Sequence, residues 1–166
     1  MLNIFRDRLF YDTKLNRLAT RHRSDKTSGY LTEFRYTHGY SRIYEQLFAS
    51  PLSSELNLVE IGLLRPDSSN KQQSGDVISS APSLRIWREY FPQAKLYGFD
   101  IRAYSGKPIQ NCQIIRGDQG QRRDLARPID ACPGGFDIVI DDGSHASQHQ
   151  QTRFAVLFPH KRPGAH

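Results

Sequence analysis

Asp141 and Asp142 stand side by side after the run FDIVI (136–140), and Gly143, Ser144 and His145 follow them. Adjacent carboxylates behind an apolar segment are costly unless solvated, paired or bound to a metal. A Gly-Ser turn separates Asp142 from His145, so both side chains could enter one cleft. An oxygen donor with open water positions suits Mg²⁺. An imidazole titrating near neutrality suits a general base. Asp142 and Ser144 could also simply cap a following helix, a use that does not account for His145. His149 lies four residues beyond but has no evident third partner for zinc.

Three further groups could meet a ligand. Glu60 precedes Gly62 in VEIG, where a residue without Cβ lets the backbone approach a nucleoside closely, although glycine also ends strands for no functional reason. Leu63, Leu64 and Arg65 stand where a phosphate-cradling loop would carry more glycines. Asp100 closes the run KLYGFDI, where an acid can accept both ribose hydroxyls of a nucleotide or cap the next turn. Asp118 and Gln119 follow CQIIRG; a carboxylate and an amide there could bond the edge of adenine or belong to an ordinary turn.

These groups sit at the ends of β-type runs. LNLVEIG (56–62), KLYGFDI (95–101), CQIIRGD (112–118) and GGFDIVIDDG (134–143) predict four strands. SLRIWREYF (83–91) predicts a helix with Leu84, Trp87 and Phe91 on one stripe, Ser80 or Ser83 as cap and Pro82 in the first turn. SHASQHQQTRFAVLF (144–158) predicts another, with Ser147 and Gln150 at capping-box spacing and Phe154, Leu157 and Phe158 inward. Strands alternating with helices imply a parallel sheet whose ligands lie beyond the carboxyl ends of its strands. Polar residues recur at all four ends.

Upstream, LNRLATRH and the stretch from Ser41 to Phe48 predict helices, the second with Ile43, Leu47 and Phe48 on one face and Tyr44 at its edge. The residues between them are rich in turn formers and predict a loop. The polar stretch from Leu63 to Pro82 lacks periodicity, and unstructured connections of that length are often functional. The chain is thus expected to divide into an N-terminal helical and loop segment (1–55) and an α/β core (56–166).

With 166 residues, 37% apolar and 11% aromatic, the sequence supports one core and is no disordered tail. No run approaches the roughly 18 apolar residues of a membrane span, and MLNIFRDRLFYDTK interrupts its apolar residues too often for a secretory signal. A cytoplasmic protein is expected. Cys112 and Cys132, outside any CxxC pair, make neither a disulfide framework nor a thiolate zinc site. The net charge of +6 falls mostly on the first 50 residues. This reads as a solvated face, because no Lys/Arg block or RNP-type motif supports nucleic acid and the acids at 141–142 would repel phosphate.

Taken together, NLVEIG, SLRIWREYFPQAKLYGFDI, RGDQ, FDIVIDDGSH and LFPHKRPG resemble class I S-adenosylmethionine-dependent methyltransferases. More narrowly they resemble the metal-dependent sugar O-methyltransferases of macrolide biosynthesis and the cephalosporin hydroxylase-like proteins, whose pre-core segment SDK (24–26) and HGYSRIYEQLF (38–48) also resemble. The resemblance runs from about residue 17 onward. It implies a Rossmann-like parallel sheet with flanking helices, here incomplete at about four core strands. It implies that Glu60 and Gly62 line the methionine side of S-adenosylmethionine, that Asp100 binds the ribose, and that Asp118 and Gln119 lie near the adenine. Asp141 would border the pocket, Asp142 would ligate Mg²⁺, and His145 would deprotonate a hydroxyl of a sugar or other small acceptor. Tyr40 and Tyr44 would close over the pocket.

Two departures bear on these expectations: the loop after Gly62 is poor in glycine, and the family's next strand, with the acidic pair that completes its metal site, is missing after KRPGAH. A C-terminally truncated member is therefore expected (a truncated reading frame, a fragment, or a half-domain completed by another chain), with a homo-oligomer left open, or else a non-catalytic S-adenosylmethionine- or nucleoside-binding remnant or interaction module.

Overall fold

The structure, a computed structural model, describes residues 13–28, 38–48, 55–63 and 77–164. Its centre is β1 (Asn57–Ile61), buried at every position. Such a near-continuous apolar run is what a strand covered on both faces of a parallel sheet requires. β3 (Lys95–Asp100) pairs with β1 on one side, β5 (Cys112–Arg116) pairs with β3, and β6 (Ile138–Asp141) pairs with β1 on the other, all in parallel. The resulting order, β5-β3-β1-β6, reverses direction at β1. The crevice between β1 and β6 is thus the switch point, where doubly wound sheets place their ligands. β2 (Val77–Ile78) and β4 (Ala103–Tyr104) form a separate parallel pair, unforeseen because each has only two residues.

Side chains alternate across β1. Leu58 joins Leu96, Ile138 and Ile140 beneath α3 (Pro82–Tyr90), whose Leu84 and Trp87 are fully buried. Val59 and Ile61 face the other way, with Phe99, Ile115 and Phe136. Leu125 of α4 (Arg122–Ala131) and Leu157 of α5 (Ser147–Leu157) cover them. By the same alternation Glu60 lies on the α3 face, a carboxylate inside an apolar layer.

The N-terminal helices share that layer. α1 (Lys14–Arg21) is capped by Thr13, whose side chain accepts from the Asn16 backbone N–H at 3.2 Å, and it buries Leu15, Leu18 and Ala19. Asn16 is buried as well, and its Oδ1 accepts from Thr27 Oγ1 (3.0 Å), Ser28 N (2.7 Å) and Ser41 Oγ (2.9 Å). One amide oxygen thus fastens the 22–28 turn and α2 (Tyr40–Leu47) onto α1.

Several expectations are corrected. In α2, Ile43 and Leu47 are exposed, and Tyr44 and Phe48 turn inward to meet Trp87 edge-on. Aromatic packing sets the buried face there, not the aliphatic residues. In α5, Phe154 and Phe158 are 64% and 51% exposed and stack on each other, while Arg153 and Leu157 form the inward stripe. Neither α3 nor α5 has a side-chain cap; Pro82 starts α3, and Ala146 precedes α5. Helix α4 went unpredicted because it is polar and contains Pro128. The 63–82 stretch lies largely outside the described residues. Among the described residues no helix is long and apolar enough to cross a membrane.

Candidate functional site

Glu60 is fully buried near the carboxyl end of β1, and its Oε2 accepts from the Trp87 indole N–H at 3.1 Å. A carboxylate placed there needs a counter-charge. Lys26 supplies it from the turn after α1: 4% exposed, its Nζ lies 3.3 Å from Glu60 Oε1 and donates a short hydrogen bond to Asp142 Oδ2. Burial alone would lower the Lys26 pKa, but the charges of Glu60 and Asp142 together outweigh it and raise the pKa. Burial pushes the Glu60 carboxyl upward; Lys26 and Ser83 oppose this without cancelling it. Tyr44 stands beside this group, its phenol also raised chiefly by burial. Tyr40 meets Tyr44 edge-on at 6.2 Å.

Gly62 knots the neighbouring strand ends. Its φ is +83°, and a Cβ there would fall on the Asp142 carbonyl oxygen and 2.7 Å from Gly143 Cα. The close approach expected at this glycine is therefore to the protein's own backbone. Next to it, Asp100 accepts from Leu63 N through Oδ2 and from Arg102 N through Oδ1, both at 2.9 Å. The turn-capping use of Asp100 is thus real, and each oxygen keeps a lone pair for a second donor.

The loop after β6 is held from the far side. Arg153, 2% exposed, sends Nη2 to Ser144 O (2.8 Å) and a short bond from Nη1 to Gln119 Oε1, with Nε 2.8 Å from Asp141 Oδ1. Gln119 Oε1 also accepts from Ser144 N at 2.9 Å. Asp118 Oδ1 accepts from Gly120 N at 2.8 Å. Gln119 and Asp118 therefore shape their own loops first, and Asp141 faces an arginine. His145 is exposed on the same loop.

The structure brings Glu60, Gly62 and Asp142 into one contact group, sets Asp100 next to it through Leu63, and joins Gln119 to Asp141 through Arg153. The two cations that organise the rim, Lys26 and Arg153, were not singled out. The partners of Lys26 lie far along the chain, and Arg153 sits in a polar helix whose inward face was read as aromatic. Pro82 and Ser83 mark a helix start in the sequence and Lys26 stands in the SDK segment, but nothing along the chain places either against Glu60.

Among the described residues no group of three or more His, Cys, Asp or Glu is placed to hold a divalent cation, and Asp142 Oδ2 is paired with Lys26. A second cleft, about 800 Å³ and lined by Asn57, Lys95, Cys112, Cys132 and Arg162, lies at the opposite, amino end of the strands. Burial raises the Cys112 thiol to about 12 and raises Cys132 as well, so neither is a poised nucleophile.

No family model matches the chain. It is 37% identical over 142 residues to the mycinamicin VI 2''-O-methyltransferase of Micromonospora griseorubida, covering 85% of this chain and 33% of that protein. It is 36% identical over 150 residues to the 8-demethyl-8-(2-methoxy-alpha-L-rhamnosyl)-tetracenomycin-C 3'-O-methyltransferase of Streptomyces olivaceus, covering 90% and 34%. The chain thus spans about one third of the length of these relatives. Among solved structures, the MycE methyltransferase from the mycinamycin biosynthetic pathway, in complex with Mg, SAH and mycinamycin VI, matches with a TM-score of 0.74 at 33% identity, over 94% of this chain and 38% of that one. A second crystal of MycE, with Mg and SAH, gives 0.73, over 92% and 35%. The resemblance read from the sequence is borne out: over the stretch it spans, the chain is a homologue of the sugar O-methyltransferases and shares their Rossmann-like methyltransferase fold.

Proposed function

We propose that the rim formed by Glu60, Gly62, Asp100 and Asp142 binds S-adenosylmethionine, and that the protein takes part in methyl transfer to a hydroxyl of a sugar or similar small acceptor. The observation that carries this reading is the convergence of those four residues at the β1/β6 switch point, in a homologue of sugar O-methyltransferases. Asp100 offers its remaining lone pairs to the ribose hydroxyls. Asp118 and the amide nitrogen of Gln119 are assigned to the adenine edge, since the Gln119 oxygen is committed to Ser144 and Arg153. Glu60 and Lys26 border the methionine side, with Asp141 beside the crevice and Tyr40 and Tyr44 over it.

In the transfer, a lone pair of the acceptor oxygen attacks the methyl carbon. The C–S bond breaks with its electrons going to sulfur, and the hydroxyl proton passes to His145. Holding donor and acceptor in line supplies much of the acceleration. Asp142 is the residue assigned to a metal. Lys26 occupies one oxygen of the Asp142 carboxylate, and the described residues alone do not complete a Mg²⁺ site.

Calorimetric titration with S-adenosylhomocysteine tests the binding half of the reading: heat at or below millimolar ligand is expected, and none from folded protein overturns it. His145→Ala should abolish methyl transfer to a glycosylated acceptor while leaving S-adenosylhomocysteine affinity unchanged. Equal turnover in the variant would remove His145 from its role. Binding without turnover in the unsubstituted protein would instead favour a non-catalytic adenosyl-binding module.

A further inference from the structure

His149, in the first turn of α5, has no part in the transfer as proposed, yet it stands between the two loops that border the pocket. Its Nδ1 lies 3.2 Å from Ser144 Oγ on the loop after β6. The other side of the ring reaches the loop after β5. A Cβ on Gly120 would fall 2.8 Å from His149 Nε2, 3.2 Å from its Cδ2 and 3.3 Å from Asp118 Oδ1. Gly120 has no positive φ to demand a glycine; the imidazole edge is what its missing Cβ admits. The ring therefore rests on bare backbone beside the carboxylate assigned to adenine.

Its proton can be placed. Ser144 Oγ already accepts from Ala146 N at 3.2 Å, so the hydroxyl hydrogen is the one directed at His149 Nδ1. A neutral imidazole that accepts through Nδ1 carries its proton on Nε2. Among the described residues this Nε2 finds no acceptor. Asp118 Oδ1 is held by Gly120 N at 2.8 Å, and its Oδ2 receives no hydrogen bond. A half-buried donor and a half-buried acceptor thus stand together with nothing on either. Gln119, read as the second contact to the base, has its oxygen committed to Ser144 N and Arg153. The edge of adenine offers the complement, an exocyclic amine that donates and ring nitrogens that accept.

We infer that His149 is a specificity residue for adenine, its Nε2–H donating to a ring nitrogen of the base while Asp118 Oδ2 accepts from the exocyclic amine. The inference rests on the reading of this rim as an adenosyl site and names one of its contacts.

Adenosine is the probe, with its 1-deaza and 7-deaza analogues, each of which replaces one ring nitrogen by C–H. The unsubstituted protein should bind at least one analogue about tenfold more weakly than adenosine. His149→Phe keeps a ring against Gly120 without the donor. It should bind adenosine about tenfold more weakly and no longer distinguish it from that analogue. A packing role alone would weaken all three ligands alike and preserve the discrimination; that result overturns the inference, as does an adenosine affinity the substitution leaves unchanged. Should His149→Phe not fold, His149→Leu carries the same expectation. The ¹⁵N resonances of the His149 ring need no variant. The free protein should show the Nε2–H tautomer, and Nε2 should move on saturation with S-adenosylhomocysteine. An Nδ1–H tautomer, or an Nε2 resonance that the ligand leaves in place, overturns the inference equally. Failure of the site reading itself looks different: folded, unsubstituted protein then binds neither adenosine nor S-adenosylhomocysteine, and both fall together.

Discussion

Trp87 shows how much one side chain settles at this site. Its ring meets Tyr44 at 5.3 Å and Phe48 at 6.0 Å, both edge-on, while its N–H goes to Glu60. The apolar and polar halves of the rim are thus joined by one indole. Gly62 settles as much by what it lacks. Gly62→Ala would hold an L residue at a φ of +83° and drive a methyl into the Asp142–Gly143 backbone. We expect a loss of about 1–3 kcal/mol from conformation alone, with more from the clash, read as a lower urea midpoint at unchanged slope. Individual residues were legible where chemistry and position coincide. Glu60, Gly62 and Asp142 announce themselves as a polar or Cβ-free position ending an apolar run. Lys26 does not, because an exposed lysine and a buried one look alike until the chain brings their partners near.

Among the elements, α5 has the more consequential inward stripe. Arg153 reaches from it to Gln119, Ser144 and Asp141, so one helix position fixes the loop carrying Asp142 and His145. Arg153→Met should keep the helix but leave a carboxylate, an amide oxygen and a carbonyl without their cation. The expected cost is about 3 kcal/mol, the lower end for a broken buried pair because Asp141 retains water. Amide hydrogen exchange should quicken across 142–146 and hardly change in β3 or β5; uniform exchange would show that Arg153 serves the core and not the loop. The four strands could be read from their apolar runs, since a sheet covered on both faces demands such runs. The helices were harder. α4 hides behind Arg, Asp and Pro128, and α5 presents an aromatic pair to solvent while burying a guanidinium, the reverse of what hydrophobic periodicity implies.

For the molecule as a whole, the groups with clearly raised pKa values set an alkaline limit. Burial raises Cys112, ordinarily near 9, to about 12, and raises Tyr90 and Tyr97, ordinarily near 10, to about 12. Each stays protonated in the folded state while the unfolded chain ionises, so the unfolded state binds fewer protons. Stability therefore falls as pH rises from about 9 toward 12. Urea unfolding followed between these limits should show that decline, and Cys112→Ala should delay its onset. A flat profile would mean the three groups titrate alike in both states.

The approach of Gly62 to Asp142 has a mechanical consequence. Gly62 N bonds Phe99 O, Asp142 N bonds Ile61 O, and Leu63 N bonds Asp100, so three strands finish on a single inflexible junction. Whatever presses on the aspartate that ends β3 and whatever presses on the one after β6 lean on that same anvil from opposite sides. The spacing of those two carboxylates is thus set by covalent geometry and hydrogen bonds already in place.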